Sequence, residues 1–203
     1  MLFVSLVFAE CRVERPSIGY DLSTGCSARK LELRTLMLPK LIVFDLDFTL
    51  WDCGGTWCDC LSPPFHRRNE QVVDRASRQV RLYDDVTSIL DHCDDHSIPM
   101  ALASRTEQPS WARELIELLS IHHRFAFAEI YPSSKLRHIA VLRESSGLPY
   151  SSMVFFDDEM RNINEVSSLG VTSIHVSDGI TADLLHNALQ RIENNGNASR
   201  HQD

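Results

Sequence analysis

Leu41-Ile42-Val43-Phe44-Asp45-Leu46-Asp47-Phe48-Thr49 runs four consecutive apolar residues straight into two carboxylates. A short apolar run without polar alternation is the pattern of a strand buried on both faces, as in a parallel sheet. Carboxylates directly beyond such a strand are costly to desolvate unless something compensates them. By itself the pair fits an exposed acidic turn as well as a site. What surrounds it decides.

Downstream of this strand, apolar runs and amphipathic stretches alternate. Asp84 to His96 carries Val86, Ile89 and Leu90 at helical spacing, and Met100-Ala101-Leu102-Ala103, introduced by Pro99, reads as a second buried strand. Ser110 to Leu119 places Trp111, Leu115, Leu118 and Leu119 on one helical face. Phe125 to Tyr131 is a third strand, followed by a helix over Ser133 to Ser146 capped by Ser133 or Ser134. Met153 to Phe156, a helix over Arg161 to Leu169 and a strand over Thr172 to Val176 complete the alternation. A last helix runs from Thr181 to Glu193, where Asn194-Asn195-Gly196-Asn197 ends it.

Five strands alternating with helices predict an α/β fold, a parallel sheet covered by helices on both faces. Such sheets place ligands beyond the carboxyl ends of their strands, beside a switch in strand order. The residues just after each apolar run are therefore where chemistry is expected. Residues 52–80 interrupt the alternation after the first strand. Polar and rich in Cys, Gly, Pro and Arg, they read as a flap, a candidate β-hairpin. No internal repeat is apparent.

The strand ends carry a consistent set of groups. Asp45 and Asp47 follow the first strand, and Asp157-Asp158-Glu159 follow the fourth. If these strands are neighbours, four or five carboxylates converge, and like charges that close raise one another's pKa or bind a cation. Oxygen-only ligands with room for water and a phosphate favour Mg²⁺ over Ca²⁺. Ser104 and Arg105 follow the second strand. The Ser104 hydroxyl with the backbone N–H groups after it can face an anion or simply cap the next helix. Lys135 lies in the first turn of its helix, where a cation opposes the helix dipole, which favours a functional over a decorative role.

Composition bounds the remaining possibilities. The 203 residues are 43% hydrophobic and 24% charged, enough for one soluble globular domain with a real core. Twenty Lys and Arg against 28 Asp and Glu give a net charge of −8, which disfavours nucleic acid and a polybasic membrane clamp. No apolar run approaches the roughly 20 residues that span a bilayer. Cys53, Cys58 and Cys60 cluster with His66 nearby, but C-x4-C-x-C lacks a second ligand pair. Free thiols in a reducing compartment are the better reading than zinc. Residues 1–38 read as a disordered extension, 39–194 as the folded domain and 195–203 as a flexible tail. The apolar Met1 to Ala9 lacks the basic leader and cleavage pattern of a secretory signal, the acids before Lys40 weaken an organelle transit peptide, and Met37 makes a natural start for the domain. Cytoplasm and a monomer are the default expectations.

Asp45-x-Asp47-x-Thr49, Ser104, Lys135 and Asp157-Asp158 resemble the four motifs of the haloacid dehalogenase (HAD) superfamily of aspartyl-phosphate enzymes. Phe44 to Trp51, Ala103-Ser104-Arg105-Thr106, Ile130 to Lys135 and Phe155 to Glu159 resemble, more narrowly, the eukaryotic magnesium-dependent phosphatase 1 family. The likeness runs from about Leu38 to the end of the last helix. Ser133 stands where Gly is expected, and the Cys-rich segment 53–60 departs from the usual flap sequence.

The resemblance implies a three-layer α/β/α Rossmann-like fold with a five-stranded parallel sheet and a minimal cap over an open site. It implies Asp45 as nucleophile, Asp47 as general acid and base, and Mg²⁺ held by Asp45, the Asp47 backbone carbonyl and Asp157, with Asp158 supporting bound water. Ser104 and Lys135 would contact the phosphoryl group, Asn162 would orient Asp157, and Arg105 is a candidate for holding substrate. The implied substrates are phosphotyrosine in a protein or a phosphorylated sugar adduct of the fructosamine type. Trp51, Trp57, Pro63, Pro64 and Phe65 either line the entrance or pack the flap. The rival class is a non-catalytic or weakly active scaffold, which predicts the loss of a motif residue, and none is lost. A phospho-receiver domain would carry its paired acids in a different order.

Overall fold

The computed structural model describes residues 38–199, without side chains for 193–199. The readings made for residues 1–37 and 200–203 lie outside the described residues. Within them the strands are β1 (Leu41–Phe44), β2 (Trp51–Asp52), β3 (His66–Arg68), β4 (Gln71–Val73), β5 (Gln79–Leu82), β6 (Met100–Ser104), β7 (Phe127–Ile130), β8 (Met153–Asp157) and β9 (Thr172–His175). The helices are α1 (Val86–Asp95), α2 (Pro109–Leu118), α3 (Lys135–Ser146), α4 (Met160–Ser167) and α5 (Ala182–Ser199).

Five strands form one parallel sheet in the order β7-β6-β1-β8-β9. β1 is central, and the chain builds outward from it first on the β6 side and then on the β8 side. The switch in strand order therefore falls at the end of β1, where an open α/β sheet forms its crevice. Phe44 lies beside Leu102 on one side and Phe156 on the other, so Asp45, Ser104 and Asp157 emerge on the same edge.

Side chains along each strand alternate between two cores. Ile42, Phe44, Met100, Leu102, Val154 and Phe156 face α1, α2 and α5, where Ile89, Leu115 and Leu185 meet them. Leu41, Val43, Ala101, Ala103, Met153 and Phe155 face α3 and α4, against Ile139, Leu142, Ile163 and Val166. Strands buried on both sides in this way explain the unbroken apolar runs.

The flap is more than a hairpin. It is a four-stranded antiparallel sheet, β2-β5-β4-β3, spanning residues 51–82 and enclosing a short 3-10 turn at Cys58–Cys60. β3 and β4 join through Asn69 and Glu70, both at positive φ, the conformation a two-residue hairpin turn requires. Its inner face, including Trp51, Phe65, Val72 and Val80, is continuous with the α1/α2/α5 core.

The C-terminal boundary needs correction. α5 does not end at Glu193 but runs through Gly196 to Ser199, so 195–199 is helical rather than tail. One glycine costs only about 1 kcal/mol in a helix, and a helix already nucleated by the docked Leu185 and Ala188 propagates cheaply. No helix among the described residues is long and apolar enough to cross a membrane.

Candidate active site

Asp45 is the first residue past β1, and its N–H bonds to Phe156 O at 2.9 Å, which locks it to the neighbouring strand. The chain then turns sharply. Leu46 O accepts N–H groups from Thr49, Leu50 and Trp51, and Phe48 adopts φ 56°, so Asp47 is lifted off the sheet toward the flap. Thr49 is buried in this turn.

Lys135 crosses from the start of α3 to the foot of this turn. Its Nζ lies 2.6 Å from Asp45 Oδ1 and 3.0 Å from Asp157 Oδ2, donates to Ala103 O, and rests 5.6 Å from the Phe155 ring centre. The side chain is 1% exposed. Burial alone would lower its pKa, but Asp45 and Asp157 outweigh that and raise it. The first turn of α3 is stabilised separately. Ser134 is the N-cap, its side chain accepting from the Arg137 N–H.

Asp157 ends β8 fully buried. Its Oδ1 accepts from Glu159 N–H at 2.8 Å and Asn162 Nδ2 at 2.9 Å, and the same amide lies 3.1 Å from Oδ2. One oxygen each of Asp45, Asp157 and Asp158 lies within 4.8 Å of the others. Among the described residues Lys135 pairs with Asp45 and Asp157, and no cation pairs with Asp158. Burial, with Asp157 and Asp47 adding to it, pushes Asp45 up to about 8 against the pull of Lys135. Burial and then Asp157 push Asp158 up to about 6. Both the all-oxygen donor set and the missing positive charge fit a hard divalent cation such as Mg²⁺. The carboxylate of Asp158 thereby stands with Asp45 and Asp157 rather than behind them.

Asp47 is held differently. Its Oδ1 accepts from Trp51 Nε1 at 2.7 Å, Cys58 N–H at 2.9 Å and Cys53 Sγ at 3.6 Å. Burial raises its pKa while these three donors pull it down, and the net direction is up. Asp47 and Asp45 line one pocket of about 260 Å³ together with Ser104, Arg105, Lys135, Asp158 and Asn162. The candidates predicted from the strand ends, except the hidden Asp157, thus line one pocket. Ser104 Oγ accepts from Thr106 N–H at 3.4 Å. Arg105 is braced against Ser133 O at 3.2 Å, Glu159 at 3.3 Å and Asn162 at 3.3 Å.

A family model described as Acid Phosphatase matches residues 37–195. The chain belongs to this acid phosphatase family. It is 44% identical over 155 residues to magnesium-dependent phosphatase 1 of Homo sapiens, covering 75% of this chain and 86% of that protein. It is 33% identical over 153 residues to a HAD-like hydrolase superfamily protein of Schizosaccharomyces pombe, covering 69% and 87%. A HAD-superfamily hydrolase from Ehrlichia chaffeensis shares the fold with TM-score 0.53 at 16% identity, over 76% of this chain and 96% of that one. The fold is that of the HAD hydrolases.

Several residues around this acid phosphatase centre were not singled out in the sequence. Asp59, in the 3-10 turn of the flap, accepts from Thr106 Oγ1 and, at 3.2 Å, from Glu107 N–H. The anion that meets the donors after β6 is thus the protein's own carboxylate. Glu107 and Arg161 also border the pocket, beside Glu159 of the acid cluster already noted after β8. Of the flap aromatics, Trp57 lines the pocket at 56% exposure with its edge on Phe48, whereas Trp51 is fully buried and Phe65 packs on Trp111. Cys53 and Cys58 are buried free thiols and Cys60 an exposed one. Among the described residues the metal-ligating cluster contains no cysteine.

Proposed function

We propose that this acid phosphatase is a magnesium-dependent phosphomonoesterase working through an aspartyl-phosphate on Asp45. The observation that carries the reading is the buried Asp45 at the floor of the pocket, paired with Lys135 and clustered with Asp157 and Asp158. Asp45, Asp157 and the Asp47 carbonyl would hold Mg²⁺, with Asp158 beside them. When bound, the ion neutralises phosphate charge so that an anionic carboxylate can approach it.

The Asp45 carboxylate attacks phosphorus in line, and the bond from phosphorus to the leaving oxygen breaks. Asp47 gives that oxygen its proton. In the second step Asp47 takes a proton from water as it attacks the acyl phosphate, which releases inorganic phosphate and restores Asp45. Asp47 must be protonated while Asp45 is ionised, so their surroundings have to differ. They do: burial raises both, but Asp45 faces an ammonium and would face the cation, which together favour its carboxylate, whereas Asp47 faces neutral donors. Ser104 donates to a phosphoryl oxygen, Lys135 offsets the charge of the nucleophile and phosphate, and Arg105 braces the rim against which substrate rests.

The flap is small and the pocket opens beside Trp57, an arrangement that supports substrates presented at a surface. Phosphotyrosine in a protein and a phosphorylated sugar of the fructosamine type both meet that requirement. Free thiols support the cytoplasm as its compartment.

Hydrolysis of para-nitrophenyl phosphate by the full chain, with Mg²⁺ or with EDTA, tests the reading beside Asp45→Asn. Magnesium-dependent turnover that falls by at least roughly three orders of magnitude in the nearly isosteric variant is expected. Substantial turnover by purified Asp45→Asn would sink the nucleophile assignment. No turnover in folded wild type would favour a binding role.

A further inference from the structure

The general acid of this site is gripped by the flap rather than by the sheet that carries it. Of the three donors on Asp47 Oδ1, two belong to the segment 53–58, and the shorter of these is the Cys58 N–H. Cys58 opens the 3-10 turn Cys58–Cys60. The next residue in that turn, Asp59, reaches the opposite wall of the pocket and accepts from the Thr106 hydroxyl and the Glu107 N–H. Thr106 is itself fixed, its N–H bonding to Ser104 Oγ and its hydroxyl accepting from Gln108 N–H at 3.0 Å. One short turn therefore spans the pocket. It holds Asp47 at one end and is anchored at the other to the loop that carries Ser104.

We propose that Asp59 is a positioning residue, a strut that fixes the 3-10 turn so that the Cys58 N–H aims Asp47 at the leaving oxygen. The inference rests on the reading of Asp47 as general acid. The rest of the flap has attachments of its own. Arg67 donates to Leu118 O, Phe65 meets Trp111, and Asp74 accepts from the Ser62 and Arg78 N–H groups. Removing the Asp59 carboxylate therefore frees the turn and leaves the flap docked.

A misaimed acid has a specific signature. Proton donation matters most for a leaving group that departs badly as an anion and little for one that departs well. Dinitrophenyl phosphate, with a good leaving group, and a simple alkyl phosphate, with a poor one, are therefore compared at saturating Mg²⁺. General acid catalysis is worth roughly 10²- to 10⁴-fold, so a displaced but present acid should forfeit about tenfold or more. Asp59→Ala is expected to lower kcat/KM, which reports formation of the aspartyl-phosphate and not its hydrolysis by the water that Asp47 activates, by about that factor for the alkyl phosphate and by less than about threefold for dinitrophenyl phosphate. Asp59→Asn keeps one acceptor oxygen and should recover most of the difference. Amide hydrogen exchange gives a readout apart from activity, because the Cys58 N–H should exchange faster in Asp59→Ala while the amides of β3 and β4 do not.

Equal losses on both substrates, or an unchanged Cys58 amide, overturn the strut. Asp47→Asn separates the two claims. A steep dependence on leaving group in Asp47→Asn with none in Asp59→Ala overturns the strut alone. No dependence in Asp47→Asn removes the acid assignment and the strut with it.

Discussion

Lys135 shows how much of this site was legible at the level of a single residue. A lysine in the first turn of a helix opposes the helix dipole, and that misfit marked it before any contact was known. In the fold it answers two buried carboxylates at 2.6 and 3.0 Å. Lys135→Met removes the cation that pairs with both acids among the described residues. Breaking a buried pair in this way costs about 3–5 kcal/mol, so urea unfolding in EDTA at about pH 9, above the value of about 8 to which Asp45 is raised, should show a loss of that order. A loss below about 1 kcal/mol would mean that the acids are neutralised by their own protons instead. Asp59 is the opposite case. Its partner Thr106 lies 47 residues away in the chain, and an acid in a Cys-rich loop carries no local misfit that would point to it. Trp51 was noticed as an aromatic of the flap, but its hydrogen bond to Asp47 depends on a tight turn whose positive φ at Phe48 no sequence period reveals.

Elements that bury both faces were readable because their sequence is continuous in apolar residues. β1, β6 and β8 fall within a residue of the boundaries predicted for them. Ends set by solvated turns were not, and α5 overran its expected stop because Asn and one Gly weaken a helix without breaking it. The flap escaped detailed reading because strands of two to four residues show too little alternation to be counted. α3 carries a prediction of its own. His138, fully buried one turn after Lys135, has Nε2 3.0 Å from Tyr131 O and, among the described residues, no partner for Nδ1. Burial first and then Lys135 hold its pKa down at about 4, against 6.5 when unfolded. The folded chain therefore binds fewer protons than the unfolded one between these values, and stability rises with pH across that window. The contribution is complete above about pH 6.5 and is lost as pH falls toward 4, on the order of 3 kcal/mol in all. His138→Gln keeps a donor for Tyr131 and has nothing to titrate. The stability gap between wild type and His138→Gln, measured by urea denaturation, should therefore shift in favour of the variant as pH drops from 7 to 4. Parallel curves would show that His138 finds a proton partner in the fold.

For the molecule as a whole, the strand order explains why the acids are where they are, and the acids in turn couple metal, protons and stability. Chain order alone could not show that β8 lies beside β1, and only that adjacency turns two acidic strand ends into one cluster. With Asp45 pushed up to about 8 and Asp158 to about 6, the metal-free fold keeps protons that the unfolded chain releases near pH 4. These two groups therefore subtract stability as pH rises from about 4 to 8, the reverse of the His138 contribution. A divalent cation must displace those protons to bind, so its affinity grows with pH. Because it binds only the folded cluster, saturating Mg²⁺ adds about 2.7 kcal/mol for each hundredfold excess over Kd. The rise in Tm on exchanging EDTA for Mg²⁺ should consequently be larger at pH 8 than at pH 6, and smallest at pH 5. Taking the difference at each pH cancels His138, which sits in both samples alike. An increment that is flat across this range would mean that Asp45 and Asp158 are already ionised without the ion. An increment that vanishes in Asp157→Asn but persists in Asp47→Asn would place the ion among Asp45, Asp157 and Asp158, because Asp47 contributes only a backbone oxygen that the substitution leaves in place.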